Sequence, residues 1–210
     1  RYEGIPNLEV EFMPVQPMVL PAIAVQEYDA LAVLAPRITA ELLDNAPRLA
    51  LVARFGVGYD SVDIEAATRN GVAVSITPNG VRRAIASTTL TMLLGAAHRI
   101  VEKDRITRAG EWGTKLNYMG YQVSGKTLGM IGLGNIGREF LHLISPYEMQ
   151  VLAYDPYISA EKAAESGARK VVLDELLAES DYVVVLCTLT PETFHLMNAE
   201  RFAQMKSTAI

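Results

Sequence analysis

Three glycines at positions 132, 134 and 137 stand in the run Gly-Leu-Gly-Asn-Ile-Gly-Arg138, directly after the apolar stretch 127–131. The spacing is G-x-G-x-x-G between a short buried strand and a helix, and it suits the backbone to a phosphorylated ligand. In such a turn Gly132 permits the tight bend and Gly134 lets the backbone approach a pyrophosphate with no Cβ in the way. Gly137 lets the helix pack closely on the strand. The unpaired N–H groups at the helix N-terminus then favour an anion without any basic side chain. A second apolar run, 150–154, ends in Asp155, 18 residues after Gly137. A carboxylate there accepts hydrogen bonds from both adenosine ribose hydroxyls and repels a 2′-phosphate, so the expected cofactor is NAD rather than NADP. The competing readings are plainer: the glycines form an ordinary turn, and Asp155 caps a turn before Pro156.

These residues need elements to carry them. The alternation of apolar and acidic residues over 8–12 predicts an edge strand, after which Pro14, Pro17 and Pro21 break the pattern. Strands are expected at 28–35, 49–55 and 72–76. A helix at 39–46 and another from near Asp60 to Gly71, with Asp63 and Glu65 in its first turn, separate them. Between residues 84 and 108 apolar residues recur at helical spacing, which predicts one long helix of about 37 Å at 1.5 Å per residue. A helix of that length fits a domain link or a subunit contact. Beyond Gly125 the order is strand, glycine turn, helix to about 144, strand to Asp155, helix 160–166, strand 170–172, helix 174–179, strand 182–187 and helix 199–205. Residues 207–210 read as the start of a further strand. Strands alternating with helices imply an α/β fold with parallel sheets. Four complete strands after Gly125, where a dinucleotide domain usually has six, predict that this domain is cut short.

Composition narrows the class. The chain has 210 residues, half of them hydrophobic, enough for one large or two small domains. A net charge of −5 with dispersed Lys and Arg argues against nucleic acid as the main partner. One cysteine, Cys187, excludes an internal disulfide and fits a reducing cytoplasm. No apolar run reaches the roughly 18 residues that a membrane span needs, so no membrane role is expected. His, Cys and carboxylate residues show no spacing of metal ligands.

Six separated stretches resemble one family: Val52-Ala-Arg-Phe-Gly-Val-Gly-Tyr-Asp60, Thr77-Pro-Asn-Gly80, Gly125-Lys-Thr-Leu-Gly129, Gly132 to Arg138, Tyr154-Asp-Pro156 and Leu189-Thr-Pro-Glu-Thr193. In type and order they are similar to the D-isomer-specific 2-hydroxyacid dehydrogenases, which include phosphoglycerate dehydrogenase and glyoxylate or hydroxypyruvate reductases. The resemblance implies a flavodoxin-like substrate domain at 1–86, a linking and dimerising helix and loop at 87–122, and an incomplete Rossmann NAD-binding domain at 123–210. It implies hydride transfer between NAD and the 2-carbon of a 2-hydroxy or 2-keto acid held between the domains, and a homodimer through the 84–108 helix. The backbone amides of Val57 and Gly58, with Arg54 nearby, match the substrate-carboxylate site. Thr77, Asn135, Ile136, Asp155, Cys187 and Thr188 match cofactor contacts. On plainer readings Gly56 and Gly58 only make a tight turn, and Cys187 is an inert buried residue.

The family's catalytic Arg, Glu and His fall, by the same resemblance, beyond Ile210, so no catalytic residue is expected among these 210 and the segment alone is expected to be inactive. His98, His142 and His195 do not occupy the catalytic position. Ser87 stands where many relatives carry Glu, which leaves the subgroup and the substrate open. Two other classes fit parts of the pattern: an NAD-sensing module like the family's transcriptional corepressors, and a structural domain without cofactor. The second conflicts with Asp155 and the three glycines.

Overall fold

A computed structural model describes residues 5–13 and 18–210, in two compact units, Arg1–Thr77 and Pro78–Ile210. The first unit contains β1 (Ala30–Val33), α1 (Ala40–Asp44), β2 (Leu51–Arg54), α2 (Ile64–Arg69) and β3 (Ala73–Ile76). Its strands are parallel in the order β1-β2-β3. Apolar residues from both helices and from β1 and β2 close one core, with Ile38, Leu42, Leu43, Val52 and Ala66 fully covered. Both helices start on side-chain caps. The Leu42 amide donates to the Thr39 hydroxyl, and the Ala66 amide donates to the Asp63 carboxylate. The second cap corrects the sequence expectation. Asp63 precedes α2 instead of lying in its first turn, because residues 59–62 close a turn of their own through Val62 N–H to Tyr59 O, 2.9 Å.

The edge strand expected at 8–12 does not form. Leu8, Val10 and Phe12 are exposed and pair with no strand among the described residues. Alternation alone supplies no partner, and a strand without a ladder has no stability of its own. Pro14 and Pro17 lie outside the described residues, and Pro21 leads into a 3-10 turn at Ala22–Ala24.

The second unit opens with α3 (Arg82–Ala97) and α4 (Ile100–Arg108). Here too the structure departs from the sequence reading, for the single helix expected over 84–108 is bent by 63° at its middle. Arg99 adopts a left-handed conformation at φ 52°, and the Ala97 carbonyl leaves the helix ladder to accept the Tyr121 amide at 2.8 Å. Gly120 makes that approach possible, since a Cβ there would lie 2.8 Å from His98 Cα. Arg99 then donates to Asn117 O and covers the Tyr121 ring. Leu93 and Ala97 before the bend are buried, whereas Ile100 and Val101 after it are exposed. No single helix among the described residues is long and apolar enough to cross a membrane.

There follow β4 (Thr127–Ile131), α5 (Asn135–Ile144), β5 (Gln150–Tyr154), α6 (Ala160–Glu165), β6 (Arg169–Lys170), α7 (Leu173–Glu179), β7 (Tyr182–Val185) and α8 (Ala199–Gln204). The strands are parallel in the order β6-β5-β4-β7, the 3-2-1-4 order of a doubly wound domain, with β4 central and buried on both faces. Its helix α5 buries Gly137, Phe140, Leu141 and Ile144, a spacing of three, four and seven residues that places all four on one face. Gly129 lets α7 lie directly on β4, because a Cβ there would sit 2.5 Å from Leu176 Cδ2 and 2.3 Å from Ser180 Oγ. The strand read at 207–210 shows only its last residue in the sheet. Ile210 N–H donates to Asp181 O and Ile210 O accepts from Val183 N–H, at 3.0 and 2.8 Å, beside β7.

Candidate functional site

The connection from β4 to α5 is three residues, Gly132-Leu133-Gly134. Gly132 has φ 93°, and a Cβ there would lie 2.7 Å from Cys187 N and 2.9 Å from Cys187 Cα. The turn therefore runs against the chain leaving β7 with no room for a side chain. Gly137 is closed in the same way, its Cβ position lying 2.9 Å from Gly132 O. Gly134 differs, for a Cβ there would meet no atom within 4 Å. Packing needs the first and third glycines, while the second keeps open the space before the α5 N-terminus. That space, faced by the amides of Asn135, Ile136 and Gly137, fits the pyrophosphate of NAD.

Asp155 follows β5 and is fixed by two backbone donors. Leu133 N–H reaches Oδ2 and Tyr157 N–H reaches Oδ1, each at 2.9 Å. Asp155 thus caps the turn after β5, as the plainer reading has it. A carboxylate has about four lone-pair sites, so each oxygen keeps one for a ribose hydroxyl. The Leu133 bond ties the Asp155 carboxylate to the glycine turn.

The loop after β7 carries Cys187 and the exposed Thr188. Burial pushes the Cys187 thiol up, with the Asp155 charge adding and a backbone hydrogen bond opposing. It packs against the cluster of Ile131 and Leu152, where burial disfavours the thiolate. Thr193 closes this loop, donating to Thr188 O at 2.6 Å and accepting from Thr190 N–H at 2.7 Å. Sequence reasoning gave Thr193 no task, although Thr-x-x-Thr across a proline is a signal for such a closed turn. Arg138 also serves the site. Its guanidinium donates to Leu133 O at 2.9 Å and to Asn135 Oδ1 at 2.7 Å, bracing the glycine turn from the helix side.

In the first unit β2 runs into Phe55-Gly56-Val57-Gly58. Gly56 N–H donates to Thr77 Oγ1 at 2.8 Å, and Thr77 N–H donates to Gly56 O at 2.9 Å. Arg54 folds over the same residue, its Nη1 only 1.5 Å from where a Gly56 Cβ would be, and donates to Phe55 O at 3.3 Å. Its Nε is buried without a partner among the described residues. The Val57 and Gly58 amides make no hydrogen bond to another described residue. Thr77, expected on the cofactor, thus has its hydroxyl engaged within the first unit. His98, His142 and His195 are all exposed, His195 stacked on Phe194 with ring centroids 4.0 Å apart.

Residues 90–210 match the NAD binding domain of the D-isomer specific 2-hydroxyacid dehydrogenases. A glyoxylate reductase of Thermococcus onnurineus is 42% identical over 193 residues, covering 89% of this chain and 58% of that protein. A D-3-phosphoglycerate dehydrogenase of Archaeoglobus fulgidus is 38% identical over 187 residues, covering 89% of this chain and 35% of that protein. Among solved structures, D-lactate dehydrogenase from Aquifex aeolicus, in complex with NAD and lactic acid, superposes with a TM-score of 0.80 at 29% identity. That match covers 89% of this chain and 56% of the other. The chain spans a little over half the length of the glyoxylate reductases it matches. From Leu90 to Ile210 it carries the NAD binding domain of the D-isomer-specific 2-hydroxyacid dehydrogenases, and it belongs to that family.

Proposed function

We propose that the protein is an NAD-dependent dehydrogenase acting on a small 2-hydroxy or 2-keto acid, with glyoxylate the first candidate substrate. The observation that carries this reading is the cradle itself: a central glycine facing open space, a helix N-terminus behind it, and Asp155 anchored by two amides. The 42% identity to a glyoxylate reductase supports the choice of acid.

In this proposal Gly132, Gly134 and Gly137 admit the pyrophosphate, and the Asn135 and Ile136 amides hold it. Asp155 accepts the ribose hydroxyls. Cys187 and Thr188 flank the dinucleotide, Cys187 through its backbone beside Gly132. The Val57 and Gly58 amides hold the substrate carboxylate, and the Arg54 guanidinium supplies positive charge to the same loop. When bound, nicotinamide gives or takes the hydride at the 2-carbon. Fixing the acid by two backbone donors orients that carbon, and orientation of this kind removes a large part of a bimolecular barrier. No histidine of this chain is assigned the proton transfer.

The test is loss of NADH absorbance when the whole protein is mixed with glyoxylate, hydroxypyruvate, pyruvate or phosphohydroxypyruvate. Turnover with at least one acid is expected, faster with NADH than with NADPH. Absence of NADH consumption with all four would overturn the proposal.

We propose further that the protein is a homodimer joined through α3 and α4. Met92, Ile100, Val101 and Trp112 expose apolar surface there, and such residues are common at the centre of obligate interfaces. Light scattering at micromolar concentration should give twice the chain mass; a monomer would contradict this.

A further inference from the structure

We propose that Thr77 is a positioning residue for the substrate carboxylate, acting through Gly56 rather than on the cofactor. The inference rests on the reading of Val57 and Gly58 as the carboxylate donors. Thr77 stands immediately after β3 and Gly56 two residues after β2, on adjacent parallel strands. The Gly56 residue is held at both polar atoms by one residue: its N–H by the Thr77 hydroxyl at 2.8 Å, its O by the Thr77 N–H at 2.9 Å. Gly56 is buried, so its N–H has no water to replace that hydroxyl.

Arg54 completes the grip. Its guanidinium lies in the space that a side chain at Gly56 would fill, and it bonds Phe55 O. Gly56 has φ 154°, a conformation that L side chains rarely adopt, so the residue is glycine for both its backbone and its neighbour. With residue 56 fixed from two sides, the next two amides are the free donors of the loop. A loop free to move would otherwise lose backbone entropy at each residue on closing around an anion. The Thr77 hydroxyl sets that conformation before the ligand arrives, which is the usual way a fixed second residue raises affinity without touching the ligand. No other side chain gives the Gly56 N–H an acceptor among the described residues.

The variants that separate these roles are Thr77→Val, which keeps the shape and removes the acceptor, and Thr77→Ser, which keeps the acceptor. The probe is oxamate, an unreactive mimic of a small 2-keto acid, titrated into the whole protein at saturating NADH while backbone amide resonances are followed. In the wild type the Val57 and Gly58 signals should shift. Thr77→Val should weaken oxamate about tenfold, as expected for one lost hydrogen bond to a buried amide, with NADH affinity unchanged within about twofold. Thr77→Ser should match the wild type. If Thr77→Val does not fold, Thr77→Cys, a weaker acceptor, is read by the same criterion. Wild-type shifts with unaltered oxamate affinity in Thr77→Val would overturn the role of Thr77 alone. Weakened NADH with intact oxamate binding would return Thr77 to the cofactor. Absence of Val57 and Gly58 shifts in the wild type would remove the carboxylate site itself.

Discussion

Asp155→Ala is expected to weaken NADH about a hundredfold and to abolish the preference over NADPH. An ionised acceptor contributes about 1.5 to 3 kcal/mol per hydrogen bond, and in the proposed cradle two ribose hydroxyls share one carboxylate already oriented by Leu133 and Tyr157. Losing about 3 kcal/mol corresponds to roughly a hundredfold. NADPH should bind no worse than before, because the repulsion against its 2′-phosphate leaves with the charge. Part of the loss comes from the turn, since the Leu133 amide also forfeits its acceptor. Asp155→Asn separates the two contributions. It retains an oxygen for Leu133 and removes the charge, and about a tenfold loss is expected. Calorimetric titration of both nucleotides into each variant measures all four numbers, and an unchanged NADH affinity in Asp155→Ala would show that this carboxylate does not hold the ribose.

Gly132→Ala and Gly134→Ala should fail in opposite ways. At Gly132 the new methyl would stand 2.7 to 2.9 Å from the backbone of Leu186 and Cys187, which cannot rotate away, and φ 93° is itself strained for alanine. Overpacking and a disfavoured dihedral each cost about 1 to 3 kcal/mol, a large share of the 5 to 15 kcal/mol that usually holds a domain. Denaturant unfolding should therefore show a loss of about 3 to 5 kcal/mol. At Gly134 the methyl meets nothing within 4 Å and φ is −74°, so stability should change by less than about 1 kcal/mol. NADH affinity should nevertheless fall at least about tenfold, because the methyl enters the space assigned to the pyrophosphate. Equal effects on stability at both positions would mean that the glycines serve only the turn.

How far the sequence can be read depends on the range of the interaction involved. The glycine turn, Asp155 and the strand-helix alternation were legible because each is local: a dihedral, a run of buried residues, or a carboxylate at the end of a strand. The β6-β5-β4-β7 order is not contained in that alternation, which gives parallel strands only, because the connection from β6 to β7 carries the chain from one edge of the sheet to the other. The bend at Arg99 was not legible. Apolar spacing continues through it, and its cause is Tyr121 taking the Ala97 carbonyl from 24 residues away. The missing strand at 8–12 is the same lesson in reverse, for the pattern was present and the partner was not. Within the site, the Thr77 to Gly56 bonds join positions 21 residues apart, and neither residue type signals the other. Arg138 and Thr193 make local contacts, but each belongs to a motif whose other residues carry the chemistry the spacing points to.

Nucleotide binding by the folded wild-type protein tests the NAD cradle most directly. Calorimetric titration should give one NADH per chain, with NADPH at least about tenfold weaker because Asp155 repels its 2′-phosphate. Equal affinity for the two nucleotides, or a folded protein that binds neither, would contradict the assignment of the glycine turn and Asp155 as a NAD cradle.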